Sequence, residues 1–195
     1  MIHSEKFKAA LAKFNEENSN DPNTELVDGV QTPHEWVDAH RLHDWVLKLK
    51  PEADEALQLA SCCQHIRRWE RPRSDYPQNR PGYLKWRADL KDFHAETAAR
   101  ILREVGYPDE MIERVKSLNR KEGLPQDKEA QILEDALCLT FMEFELESFA
   151  KRKDEETMIR ILRKTWKKMS EHARNAALQL NFPDSIQLLI GKALD

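Results

Sequence analysis

Two adjacent acids, Glu134 and Asp135, sit inside ILEDALCLTFMEF, the most apolar stretch of the chain. Successive helical residues point about 100° apart, so both carboxylates cannot hide on one polar stripe beside Ile132, Leu133, Ala136 and Leu137. A carboxylate buried without a partner costs several kcal/mol. In one reading, one acid faces water and the other pairs with an arginine. In the other, Asp135 is a buried metal ligand and Glu134 a catalytic acid or base.

Three histidines raise the same question. His65 follows the apolar run of ASCCQHIRRW. His94, in LKDFHAETAARIL, shares a face with Leu90, Ala98 and Ile101. His43 lies beside Leu42 and Trp45. Each taken alone reads as a hydrogen-bonded core residue; their order is more informative. His43, His65, His94 and Asp135 fall on four successive long helices, and imidazole and carboxylate converging from bundle helices is how helical proteins build metal sites. Such a site would take a divalent ion and supply a water nucleophile near neutral pH.

The segment IRRWERPRSDYPQNRPGYLKWR adds a second chemistry. Arg67, Arg68, Arg71, Arg73, Arg80 and Arg87 alternate with Trp69, Tyr76, Tyr83 and Trp86, with a single lysine among them. Arginine grips phosphate or carboxylate with a planar fork and stacks on rings. A merely solvated loop would use Lys, Glu and Ser, so this composition points to anion recognition. The loop follows His65 and precedes the helix of His94, which would set the anion over the metal. Gln64, beside His65, and Lys121, ahead of Gly123, complete the candidate anion-binding set. Glu70 is a further candidate acid or base. RKTWKKMS reads as a solvated helix face, with Ile159, Leu162 and Trp166 inside and Lys164, Lys167 and Lys168 outside. No Walker loop, GxGxxG, GxSxG or HExxH is present.

Helical periodicity must position these groups. Amphipathic helices are expected over 3–19, 33–50 and about 51–69, with Ala56–Ile66 buried. Others are expected over 83–105, 109–122, 125–151, 154–180 and 184–194. SNDPNTELVDGVQTP and residues 71–82 read as loops, since Asn, Asp, Pro and Gly cluster there. No period-two strand stands out, and there is no repeat. The expected fold is an all-α single domain of seven or eight helices.

The 195 residues carry a net charge of −4, so bulk attraction to nucleic acid or anionic membrane is not expected and an anion site must be local. No apolar run approaches the roughly 18 residues of a membrane span. The first twenty residues lack a signal-peptide core. Three cysteines, two of them adjacent, give no disulfide framework and fit a reducing cytoplasm.

QHIRRWERPRSDYPQNRPGYLKWR, FHA, QILEDALCL and RKTWKKMS together resemble the family called domain of unknown function 4202, over roughly residues 25–180. More distantly, the chain resembles the HD superfamily of metal-dependent phosphohydrolases. These are helical, with a His on one helix, a His-Asp dyad ending the next, and a later Asp. LQLASCCQHI is similar to the dyad helix, FHAETAARILREVGY to the helix after it, and ILEDALCL to the helix of the last Asp. The resemblance implies an HD-like bundle. It matches His43 to the first His, His94 to an auxiliary His and Asp135 to the last Asp. Gln64-His65 stands where the dyad would be: either His65 replaces the Asp or the register slips by one, with Glu134 or Glu70 compensating. The implied function is a metal-dependent phosphohydrolase acting on a small phosphorylated or nucleotide-like anion. Loss of turnover would leave a binding module for an anionic metabolite. A third reading sets the arginine loop and the 163–168 patch on RNA, against the net acidity.

Overall fold

The computed structural model describes residues 4–194. It is mainly α-helical, with ten α-helices among the described residues and one two-stranded sheet. Helix α1, Glu5–Asn18, starts at Ser4, whose hydroxyl accepts from the Phe7 amide, and it buries Phe7, Ala10 and Phe14. Position 3, expected to open this helix, lies outside the described residues.

The segment expected to be a loop is instead a hairpin. Strands β1, Thr24–Val27, and β2, Val30–Pro33, pair antiparallel around Asp28-Gly29, both at positive φ (49° and 83°). Asp-Gly is the signature of the tight turn whose twist matches a hairpin. Each strand has only four residues, too few for period-two alternation to stand out.

Pro33 leads directly into α2, His34–Leu49. Helix α3, Glu55–Cys63, is capped by Asp54, whose carboxylate accepts from the Leu57 amide. It ends well before Trp69, because Arg67 adopts a left-handed conformation (φ 55°) and short 3₁₀ turns follow at Arg68–Glu70 and Arg73–Asp75. Helix α4, Arg80–Val105, begins three residues earlier than expected, because Asn79 caps the Gly82 amide and Pro81 occupies the first turn. Gly106 ends it at φ 86°. Helix α5 is Asp109–Arg120, and α6, Lys128–Thr140, is capped by Asp127.

The long helix expected over 125–151 is interrupted by a π turn at Phe141–Glu145 before α7, Leu146–Ala150. The helix expected over 154–180 is two helices. Helix α8, Glu155–Lys168, stops at extended Met169, and Ser170 caps α9, Glu171–Ala177. Helix α10, Asp184–Leu194, closes the chain. These two breaks turn the eight expected helical segments into the ten α-helices of the described residues.

Two apolar cores result. The larger gathers α1 to α6 and α9 around Leu57, Leu59, Ile66, Leu102, Leu118 and Leu133. The smaller joins Leu146, Met158, Leu162, Ile186 and Ala193 from α7, α8 and α10. Phe141, Phe182 and Ile190 touch both. A cleft lies between α2 and α6 on one side and α8 on the other. Cys62, Cys63 and Cys138 are buried free thiols, and among the described residues no helix is long and apolar enough to cross a membrane.

Candidate functional site

The cleft, about 410 Å³, is built from the start of α2, the end of α3, α4, α6, the π turn and α8. Asp21 fixes the start of α2 by accepting from the Glu35 amide at 3.0 Å. Glu35, Asp38 and Leu42 are spaced by three and four, so one helical stripe carries them into the cleft. Helix α3 ends at Cys63, and the left-handed turn at Arg67, just after His65, returns Arg68 toward the same stripe. The π turn contributes Phe141 and Glu145; such single-turn bulges are frequent at functional sites.

Glu35, Asp38 and His65 each offer a ligand atom, all within 4.8 Å of one another. Among the described residues, no other group of three His, Cys, Asp or Glu side chains is gathered this closely. Glu35 is 5% exposed and Asp38 9%. Glu35 Oε2 and Asp38 Oδ1 are buried without a hydrogen-bond partner, although such atoms are almost always satisfied in folded proteins. The partners of their other oxygens are distant: Arg68 lies 4.0 Å from Glu35, and the His65 ring 3.7 Å from Asp38.

The protonation states follow from this environment. Burial pushes the Glu35 carboxyl up to about 8, against the pull of Arg68 and with the repulsion of Asp38. Burial also presses His65 down to about 4; Asp38 opposes the shift, while Arg68 and Lys121 add to it. The imidazole is therefore neutral at pH 7, the form that ligates a metal. For Asp38, burial is outweighed by the facing His65, and its carboxyl lies below the ordinary range. Two carboxylates and a neutral imidazole form a donor set that fits a divalent cation of hard to borderline character.

Cations surround this cluster. Arg68, Arg87, Lys121 and Lys168 line the cleft. Glu134 pairs with Lys121 and, at 3.1 Å, with Lys168. Burial would raise the Glu134 carboxyl, but the two lysines outweigh it and hold it at about 2. A carboxyl so far below neutrality is a weak proton acceptor at pH 7, and its two ion pairs make Glu134 an anchor for Lys121 and Lys168.

The four expected metal ligands do not come together. His65 is in the cluster. The Nδ1–H of His94 donates to the Ile66 carbonyl at 2.8 Å, leaving Nε2 buried and partnerless in a chamber of about 20 Å³ beside Gln64 and His65. The His94 and His65 rings are 5.9 Å apart. His43, by contrast, bonds Ser61 Oγ at 3.0 Å and does not line the cleft. Asp135 points about 100° away from Glu134 and accepts from Gln131 and the Ser170 amide, tying α6 to α9. Glu70 pairs with Arg67, outside the cleft.

The arginine loop divides as well. Arg68, Tyr83 and Arg87 reach the cleft, as does Lys121. Arg67 turns toward Glu70 and Glu17. Arg73 donates to the carbonyls of Tyr76, Pro77 and Asn79 and so staples the loop to itself. Arg71 lies over Phe93 at 4.8 Å and, with Tyr76, lines a separate acidic groove. Trp86 donates to the Arg71 carbonyl and receives Arg68 over its ring at 5.4 Å. Arg80 is exposed.

Sequence reasoning missed Glu35, Asp38 and Glu145, and assigned Lys168 to a solvated face. The available signal was an acid pair three apart opening an apolar helix, at His34-Glu35-Trp36-Val37-Asp38.

No curated protein and no solved structure matches the chain. A family match spans residues 8–190, wider than the 25–180 suggested by motifs. By that match the chain belongs to the family described as Domain of unknown function (DUF4202).

Proposed function

We propose that the protein is a metal-dependent hydrolase of a small phosphorylated molecule, working in the cleft between the two cores. The reading is carried by the two partnerless buried carboxylate oxygens, Glu35 Oε2 and Asp38 Oδ1, beside a neutral His65 and in front of four cations. Protein dipoles leave these oxygens unsatisfied, whereas a divalent ion would satisfy both and favour the ionised form of Glu35. When bound, that ion would supply Lewis-acid charge to a phosphoryl oxygen.

The chain's own residues supply the rest. Arg68, Arg87, Lys121 and Lys168 neutralise and orient the phosphate, and Glu134 keeps the two lysines aimed. Leu137, Phe141 and Phe149 exclude water from the walls. Glu145, raised by burial and by the charge of Asp38, is the cleft carboxyl placed to carry a proton. The resemblance to HD phosphohydrolases takes a definite form in this reading. Asp38 on α2 and His65, two residues past the end of α3, stand as the first His and the dyad Asp would, with the two residue types exchanged.

Titration calorimetry with Mn²⁺, paired with hydrolysis of a phosphomonoester panel, tests the reading. The expected result is one ion per chain, about tenfold or more weaker binding for Asp38→Asn, and a raised KM for Lys168→Ala with unchanged ion stoichiometry. Absence of both ion binding and hydrolysis overturns it. Ion-dependent anion binding without turnover assigns the cleft to a sensor instead.

A further inference from the structure

A second groove, about 560 Å³, opens on the far side of Arg87, Lys121, Glu134 and Lys168. The same four residues line the cleft, so the two spaces form one trough with a cationic saddle between them. The outer groove adds Lys91 and Lys167. Its five cationic side chains face one carboxylate, Glu134, which Lys121 and Lys168 already engage. Among the described residues, Arg87, Lys91 and Lys167 make no hydrogen bond or ion pair. Arg87 is half-buried, and an unpaired guanidinium drawn partly out of water is costly without an anion to meet it. This concentration of positive charge occurs in a chain whose net charge is −4. The other walls are apolar at Leu124, Pro125 and Met169 and uncharged at Gln131 and Ser170, so they bring no further acid to screen the lysines.

We infer that the outer groove is a second anion subsite, and that the molecule bound in the trough carries two phosphate groups. One lies beside Glu35, Asp38 and His65; the other lies between Lys91 and Lys167. Arg87 and Lys121 bridge the two. The chemistry at the first phosphate rests on the hydrolase reading, whereas the binding of the second does not. The substrate class is therefore a bisphosphate or a short linear polyphosphate rather than a simple monoester.

The test compares binding of inorganic phosphate, pyrophosphate and tripolyphosphate, and of adenosine 5′-monophosphate against adenosine 3′,5′-bisphosphate, at fixed ionic strength. The proteins are wild type, Lys91→Ala/Lys167→Ala, and Lys164→Ala as an exposed control on α8. Wild type is expected to prefer a two-phosphate ligand by about tenfold or more. The double variant is expected to lose that preference while binding inorganic phosphate as before, and the control to keep it. Neither lysine has a partner in the fold, so the double variant is expected to stay folded; Lys91→Glu/Lys167→Glu should reverse the preference. Equal affinity for one-phosphate and two-phosphate ligands, or a preference that survives both double variants, overturns the inference. A preference that persists without any phosphoester hydrolysis upholds the subsite and removes the hydrolase reading. Hydrolysis of monoesters with no such preference does the reverse.

Discussion

Glu35 is buried in the first turn of a helix with Asp38 one turn on, and one oxygen of each finds no donor. Repulsion from Asp38 and burial together favour the protonated Glu35, held at about 8, until a cation arrives. Glu35→Gln keeps the shape and fixes the uncharged state that the ion-free fold already favours. Thermal unfolding should therefore show an unchanged or slightly raised Tm without divalent ion. The wild-type Tm should climb with Mn²⁺, by about 2.7 kcal/mol of stability at a hundredfold excess over Kd, and Glu35→Gln should lose that rise. An ion-induced rise that survives the substitution removes Glu35 from the ligand set. At this scale the sequence was a partial guide. His65 stood out because an imidazole ends an apolar run. Glu35 and Asp38 did not, because acids near a helix start are ordinary companions of the helix dipole.

The loop between α3 and α4 is ordered by close backbone approach rather than by regular structure. Gly82 sits where an added Cβ would lie 2.1 Å from the Pro77 carbonyl oxygen. Arg73 meanwhile gathers the carbonyls of Tyr76, Pro77 and Asn79. Gly82→Ala is expected to cost about 1–3 kcal/mol in urea unfolding, through backbone displacement at the start of α4. Arg73→Ala should open the 71–79 segment to limited proteolysis while leaving ion binding intact. Loss of ion binding in Arg73→Ala would place that side chain at the cleft after all. Proline density correctly marked this segment as irregular. The sequence could not separate an arginine that binds its own carbonyls from one that faces a ligand, since both are arginines among aromatics.

Across the molecule, acid stability depends on carboxylates held low by cationic partners. Arg114 bonds Asp127 and holds its carboxyl at about 2, below the ordinary aspartate value of 3.8. Glu134 is likewise held at about 2, below 4.5. A carboxyl depressed in the folded state contributes stability that is complete above its unfolded value and is lost as pH falls toward its folded value. Unfolding free energy should therefore decline from about pH 4.5 down to about pH 2, and Asp127→Asn should flatten part of that slope. A slope unchanged in the variant would mean that the Arg114 pair does not contribute to acid stability. The Asp127 network also sets the geometry of the molecule, because Arg114 of α5 reaches Glu129 of α6, which in turn holds Lys50 at the end of α2.

Composition and helical period alone determined the mainly helical class, the absence of a membrane-length helix among the described residues, and the burial of His94; that both Glu134 and Asp135 are buried was left open. Those properties are local or additive: each depends on apolar spacing along one segment. Tertiary structure alone decided which acids meet which imidazole. Helix rotation and the breaks at Arg67, Phe141–Glu145 and Met169 choose the face each side chain presents, and a turn of about 100° is enough to send Asp135 to α9 and Glu134 to the lysines.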